Sequence, residues 1–310
     1  MKRVIGIALA LIVASSALAL AGADGLSGLK VGLGGRALGM GGAFTAVSND
    51  ATAVFWNPAG LALLGDGDTR LSGMSTKLYE LDTSDLPLMY VGAVTKIANF
   101  GIGLAWERSS VGGPIHGGNF AQQVFIGSLG TDLLGFGLVG ANVKYYMSDI
   151  YDVSGSGFGF DLGLMMNVGD MVTIGLSASD LLGTQISYDD ETDEISSVYR
   201  AGVALSLMDG MLLLAADMDF GTALGNAHVG LEFQVIEELA LRGGIVITDD
   251  FGDFYFAVGA GINVAGLYVD AAYILEADET LGNTLVLSAE FSLGDLLGGG
   301  DDEPEPPVTE

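Results

Sequence analysis

The sequence contains no cysteine, so no disulfide contributes to its stability. It has only 11 Lys and Arg residues against 39 Asp and Glu, a formal net charge of -28. Clustered basic side chains are what bind a phosphate backbone, so this balance excludes nucleic acid as a partner. There are two histidines, His116 and His228, and no nucleophile motif or paired catalytic spacing stands beside either. We therefore predict no enzymatic activity and no cofactor.

Long hydrophobic runs are also missing after the first twenty residues. No later stretch reaches the roughly 18 apolar residues that a membrane-spanning helix needs, which excludes a helical membrane protein. Yet 50% of the residues are hydrophobic, 49 are glycine and only 16% are charged. A soluble domain of this size needs a more charged surface. The periodicity of the apolar residues must therefore show which way they face.

The two ends of the chain differ from its middle. Lys2 and Arg3 precede an apolar stretch at 4–20 that ends in small residues, a pattern typical of a cleaved signal peptide, predicted here at 1–23. An uncleaved membrane anchor is the alternative, since the stretch is nearly long enough to span a bilayer. Residues 295–310 are rich in acids and proline and are predicted to form a disordered acidic tail.

Alternation of apolar with small or polar residues recurs throughout 69–294. In 157–168, Phe, Leu and Met alternate with glycine and Asp161, and the same period recurs in 197–208, 226–236 and 283–293. A period of two predicts strands with one apolar and one polar face. The predicted strands are 69–79, 87–97, 99–108, 119–129, 135–147, 157–168, 171–179, 197–208, 210–219, 226–236, 238–248, 253–263, 265–275 and 283–293.

The links between these strands alternate in length. Outer-membrane barrels join their strands by short turns at one end and longer loops at the other. The longer links are predicted at 80–86, 109–118, 148–156, 180–196, 220–225, 249–252 and 276–282. We therefore predict an all-β fold, a transmembrane antiparallel barrel of about 14 strands in the outer membrane, with its apolar faces against lipid. A soluble β-sandwich or lipocalin-like barrel is the alternative, but it gives no reason for the asymmetry.

In such a barrel the polar strand faces line the lumen. A fourteen-stranded barrel is too wide to be filled by small side chains, so we expect the lumen cations to pair with lumen carboxylates. We interpret the cluster as interior packing in preference to a ligand site. The predicted charge network is Lys144, Asp161, Arg200, Asp217, Glu232, Arg242 and Glu290. On the same faces lie Glu107, Asp219, His228 and Asp270.

A metal site is the remaining candidate in the strand region. Residues 189–194 carry many carboxylates within the longest predicted outer link. They lack the glycine and the alternating ligand spacing of an EF-hand loop. We therefore predict a solvated loop tip and no metal, with weak Ca²⁺ binding as the alternative.

The segment at 24–68 precedes the strands and has its own pattern. Its Gly32-x-Gly34 start resembles a nucleotide-binding loop, but no strand precedes it in the mature chain and no βαβ unit follows. Asn49 or Asp50 can cap a short helix through Phe55, and Asn57-Pro58 then forms a turn.

Residues 35–62, G-R-A-L-G-M-G-G-A-F-T-A-V-S-N-D-A-T-A-V-F-W-N-P-A-G-L-A, resemble the amino-terminal signature of the PorV/PorQ-like family of outer-membrane proteins. This family is distantly related to the FadL long-chain fatty-acid transporters. The N-P-A-G-L block at 57–61 is its most specific part, and the similarity continues through strand segments such as 160–164 and 228–233. The resemblance implies a fourteen-stranded barrel with 24–68 inside the lumen as a hatch.

The resemblance implies two functions. In FadL relatives hydrophobic substrates pass through the barrel, so we predict binding or translocation of hydrophobic small molecules across the outer membrane. PorV-type members serve type IX secretion as cargo shuttles, so the alternative is a role in secretion with exported or envelope proteins as partners. Lipid of the outer membrane is a partner in both. The candidate ligand contacts are Phe44, Phe55, Trp56, Asn57 and Pro58. The alternative for these aromatic residues is that they wedge the hatch in place.

Overall fold

The computed structural model describes residues 32–77, 87–112, 119–150, 152–189, 191–221, 224–248, 254–275 and 283–296. The predicted signal peptide, nearly all of the predicted tail and parts of the predicted long links lie outside these residues. Among the helices of the described ranges, none combines the length and the apolar character needed to cross a membrane.

Within the described residues, three short helical elements precede the strands and one follows them. They are α1 (Gly35–Gly39), α2 (Ala53–Trp56), a 3-10 helix (Pro58–Leu63) and α3 (Leu293–Leu296). The strands are β1 (Thr69–Lys77), β2 (Pro87–Ile97), β3 (Phe100–Gly112), β4 (Asn119–Asp132), β5 (Leu138–Ile150), β6 (Val153–Val168), β7 (Val172–Ser179), β8 (Thr184–Ser187), β9 (Thr192–Ile195), β10 (Val198–Leu207), β11 (Leu212–Phe220), β12 (Leu224–Ile236), β13 (Leu239–Ile247), β14 (Phe254–Val264), β15 (Leu267–Leu275) and β16 (Thr284–Ser292).

Fourteen of these strands form a closed antiparallel ring. Each pairs with its neighbours in the chain, except that β7 pairs directly with β10 because β8 and β9 form a separate hairpin. The ring closes between β1 and β16, where Met74 lies opposite Ser288. The short turns suit this geometry: Ala265 and Gly266 have φ of 49° and 80°, as the central pair of a hairpin turn requires. The predicted fold class is confirmed.

Two predicted links are wrong in detail. The link expected at 148–156 is much shorter, because β5 continues to Ile150 and β6 starts at Val153. The link expected at 180–196 contains the β8–β9 hairpin, which pairs with β6 between Ser187 and Ser156. Both segments are rich in small polar residues and lack a long apolar alternation, so the pattern did not predict strands there.

The outer face of the ring carries a belt of exposed apolar side chains. Leu104 is 68% exposed, Phe158 63% and Leu231 44%. Their neighbours in sequence point inward and are buried or small, as at Ala105 and Gly159. Such a belt is unfavourable in water and is the expected surface against hydrocarbon.

This belt gives a test of the membrane orientation. Arginine in place of Leu231, near the middle of β12, is expected to reduce folding stability in lipid vesicles by about 2–4 kcal/mol. Arginine at Val235, near the end of the same strand, is the matched control and is expected to cost less than about 1 kcal/mol. Equal losses at the two positions, measured by urea titration, would contradict a bilayer-spanning β12.

The described part of the hatch, residues 32–68, lies inside the ring and occupies part of its interior. Leu33, Met40, Phe44 and Leu61 are completely buried there. The α1 helix packs against β13 to β16, and the 3-10 helix packs against β2 to β6. The hatch therefore crosses the lumen from one side of the wall to the other.

Inward-facing glycines in the strands make room for the hatch. A Cβ atom on Gly140 would collide with the backbone of Pro58, one on Gly175 with the carbonyl of Thr45, and one on Gly244 with the backbone of Gly41. Two backbones approach this closely only where one side has no side chain. Glycine at these wall positions is thus a requirement of hatch packing.

Candidate functional site

Carboxylates of the wall hold the hatch through its backbone. The Asp217 carboxylate accepts hydrogen bonds from the amides of Phe44 and Thr45, both at 2.8 Å. Glu290 accepts one from the amide of Ala51 at 2.7 Å. These buried amides would otherwise lack partners, so both carboxylates stabilise the seated hatch.

Arg36 in α1 forms the main ionic contact between the hatch and the wall. Its Nε and Nη2 atoms each donate a hydrogen bond of 2.9 Å to one carboxylate oxygen of Glu232. Its Nη1 lies 3.3 Å from the carboxylate of Asp50. Glu232 also accepts from Arg242, which in turn contacts Asp270 at 2.6 Å. Burial by itself would lower the pKa of Arg36, but Glu232 and Asp50 outweigh it and hold that pKa above its usual range.

Lys144 on β5 forms a second cluster. Its Nζ lies 2.7 Å from Asp161 on β6 and 2.8 Å from Asp180, which follows β7. Asp180 also accepts hydrogen bonds from the Tyr146 hydroxyl at 2.7 Å and from the Thr184 hydroxyl at 3.0 Å. This cluster ties the start of the β8–β9 hairpin to the inner wall.

The β8–β9 hairpin covers part of the lumen. Ile186 and Ile195 are buried, while Asp189, Glu191 and Asp193 between them are exposed. A Cβ atom on the inward-facing Gly157 would collide with the backbone of this hairpin. The predicted solvated tip is therefore present, but the segment that carries it folds onto the inside of the barrel.

A third cluster lies beside the hatch aromatic residues. Arg200 pairs with Asp219 through two hydrogen bonds, and its guanidinium lies 5.3 Å from the centre of the Trp56 ring. His228 donates from Nδ1 to the carbonyl oxygen of Gly41 at 2.7 Å, and its Nε2 lies 3.4 Å from Asp219.

Between the hatch and the hairpin lies a chamber of about 360 Å³. The hatch contributes its apolar floor through Leu38, Phe55 and Trp56, and the hairpin segment contributes Asp180 and Ile195. Small-molecule sites have this size and this combination of mainly apolar walls with a few polar groups. The strands add further apolar and polar side chains: Val124, Ile126, Ile274, Glu107, Lys144, Asp161, Arg200, Asp219 and His228.

Of the five candidate ligand contacts, two border the chamber and three do not. Phe55 and Trp56 line the chamber. Phe44 is completely buried against the edge of Trp56, with ring centres 6.0 Å apart. Asn57 donates from Nδ2 to the carbonyls of Thr45 and Leu164, and Pro58 starts the 3-10 helix against the wall. These last three residues pack the hatch and do not border the chamber.

The seven residues of the predicted charge network all face the lumen, but they do not form one network. Lys144 pairs with Asp161, and Glu232 pairs with Arg242. Arg200 pairs with Asp219, which was outside the predicted seven. Asp217 and Glu290 instead accept from hatch amides, and Glu290 also contacts Arg70. Among the described residues there is no cluster of three His, Cys, Asp or Glu side chains suited to a metal ion.

Two residues of the ionic clusters, Arg36 and Asp180, were not among the predicted site residues. The sequence held a signal for Arg36, since it is the one charged residue within 31–48 and burying an unpaired charge is costly. Asp180 had none, because it stands at the border of an acidic link and only the folding of the hairpin buries it.

The fold is shared with solved outer-membrane channels. The CymD monoaromatic hydrocarbon channel superposes with a TM-score of 0.68 at 13% identity, covering 87% of this chain and 98% of that one. The toluene transporter TbuX of Ralstonia pickettii gives 0.63 at 14% identity, covering 84% and 97%. A FadL homologue of Pseudomonas aeruginosa gives 0.61 at 14% identity, covering 85% and 98%.

Sequence comparison adds less. A family model described as "F plasmid transfer operon, TraF, protein" matches residues 89–219, which is less than half of the chain. No curated protein matches the sequence. The superpositions define the class: this chain has the transmembrane β-barrel fold of FadL-like outer-membrane channels.

Proposed function

We propose that this protein binds hydrophobic small molecules and passes them across the outer membrane. The observation that carries the proposal is the chamber between the hatch and the β8–β9 hairpin, whose floor is formed by Phe55 and Trp56. Its volume and its apolar floor suit a small aromatic or aliphatic compound. The structural neighbours named as hydrocarbon channels and toluene transporters support the same class of substrate.

A large side chain introduced on the inner face of β7 can fill the chamber without changing the lipid-facing residues of the wall. Tryptophan at Ser177, which lines the chamber from β7, is expected to reduce the affinity for a neutral aromatic probe such as toluene by at least about tenfold, because it occupies the space of the ligand. Tryptophan at the adjacent Leu176, which is 45% exposed on the outer face, is the matched control and is expected to leave binding unchanged. Isothermal titration with the purified protein measures both.

The proposal fails if the wild-type protein binds no neutral aromatic probe, or if the two tryptophan variants bind it equally. Uptake by whole cells gives the second measurement. Loss of the protein is expected to slow entry of the same probe, and the Leu176→Trp variant is expected to restore it while Ser177→Trp is not.

The narrower assignment to the PorV/PorQ-like group is part of this proposal and rests on the N-P-A-G-L block at 57–61. Asn57 supports a structural role for that block, because its side chain joins the hatch to β6 and also accepts a hydrogen bond from the amide of Ala59. The alternative of a cargo shuttle in secretion stays a prediction from the resemblance.

A further inference from the structure

Among the described residues that line the chamber, Glu107 is the carboxylate with neither a hydrogen bond nor a salt bridge. It lies on β3, between Tyr90 of β2 and Val124 of β4, and faces the chamber. Within the described part of the chain it makes no hydrogen bond and no salt bridge. Lys144 lines the same chamber but is already bound by Asp161 and Asp180.

The other ionic groups of the chamber are satisfied. Asp161 and Asp180 share Lys144, and Asp219 binds Arg200. The described lining thus holds four carboxylates, Glu107 included, against the side chains of Lys144, Arg200 and His228. An anionic ligand would meet this excess of negative charge, and a purely apolar ligand would cover Glu107 without replacing its water.

We propose that the chamber selects small organic cations with an apolar body, such as arylalkylamines, and that Glu107 binds their ammonium group. The apolar body rests on Phe55 and Trp56, and the ammonium donates hydrogen bonds to the Glu107 carboxylate. This inference rests on the proposed function, since it names the substrate class of the same chamber.

The test measures the binding of three probes of similar size to the purified full-length protein. They are phenethylamine, a cation, propylbenzene, which is neutral, and phenylacetate, an anion. Wild-type protein is expected to bind them in the order cation, neutral, anion. Glu107→Gln is expected to weaken phenethylamine binding about tenfold or more and to leave propylbenzene binding within about twofold, because a hydrogen bond to a charged group is lost. Glu237→Gln, at an exposed glutamate in the β12–β13 turn, is the matched control and is expected to change neither.

Two results overturn the inference. One is a wild-type protein that binds phenylacetate as tightly as phenethylamine, a comparison that does not depend on any variant. The other is unchanged phenethylamine binding in Glu107→Gln. If either result is obtained while propylbenzene still binds, the inferred preference for cations is wrong and the proposed binding of hydrophobic small molecules stands. If no probe binds to wild-type protein, the proposed function fails as well.

Discussion

Methionine in place of Lys144 is expected to lower the free energy of unfolding by about 3–5 kcal/mol. The Lys144 ammonium is buried and lies within 2.8 Å of both Asp161 and Asp180. Methionine fills similar space without the charge, so two buried carboxylates lose their counter-ion. Since Asp180 anchors the β8–β9 hairpin, protease cleavage between β7 and β10 is expected to accelerate in parallel. Urea titration in lipid vesicles measures the first effect and limited proteolysis the second.

Two controls distinguish the loss of the buried positive charge from the loss of a lysine side chain as such. Lys96→Met removes a lysine whose carboxylate partner, Asp66, is 87% exposed, and we expect it to cost less than about 1 kcal/mol. Adding Asp161→Asn and Asp180→Asn to Lys144→Met is expected to recover much of the lost stability, because no unpaired charge then remains. Equal losses from Lys144→Met and Lys96→Met would show that the Lys144 cluster does not stabilise the hairpin.

Alanine at Gly244 is expected to displace the hatch, whereas alanine at the adjacent Gly243 is expected to be tolerated. The Cβ atom at Gly244 would point inward and collide with the backbone of Met40 and Gly41. At Gly243 it would point outward, with its nearest neighbour an atom of Leu231 at 3.8 Å, an ordinary contact. The inward substitution should cost about 1–3 kcal/mol through overpacking.

Hatch displacement and barrel unfolding have different signatures. The Gly244→Ala protein is expected to be cleaved by protease within 32–68 while its folded barrel still shifts in mobility on an unboiled gel. Gly243→Ala is expected to resist cleavage as the wild type does. If both variants, or neither, expose the hatch to protease, the close packing of the hatch against β13 is wrong.

Most of the barrel could be predicted from the sequence because the side-chain period of a strand is a local property. The alternation in 157–168 already separated Phe158 and Phe160 from Gly159 and Asp161, and the structure places the first pair outside and the second inside. The β8 and β9 strands escaped prediction because each has four residues and a single buried apolar side chain. A pattern that short cannot be told from a polar loop.

The candidate site was predictable in part. The alternation of polar residues predicted that Glu107, Lys144 and Arg200 face the lumen, but it did not predict which side chain each of them pairs with. Phe55 and Trp56 of the hatch motif border the chamber, and their contact with a ligand stays a prediction, whereas Phe44 of the same motif is fully buried. Which aromatic residue borders a chamber depends on how the hatch turns inside the ring.

Local patterns in the sequence were enough to predict the fourteen barrel strands and their lipid and lumen faces, because these depend on residues close together in the chain. The β8–β9 hairpin, the ionic partners and the chamber depend on the tertiary structure. Arg36 and Glu232 are 196 residues apart, and the Asp217 carboxylate meets the amide of Phe44 from 173 residues away. Such contacts arise when the ring closes around the hatch, since closure brings distant strands to a common interior. The same closure explains the inward glycines, whose role appears only once a second backbone lies against them.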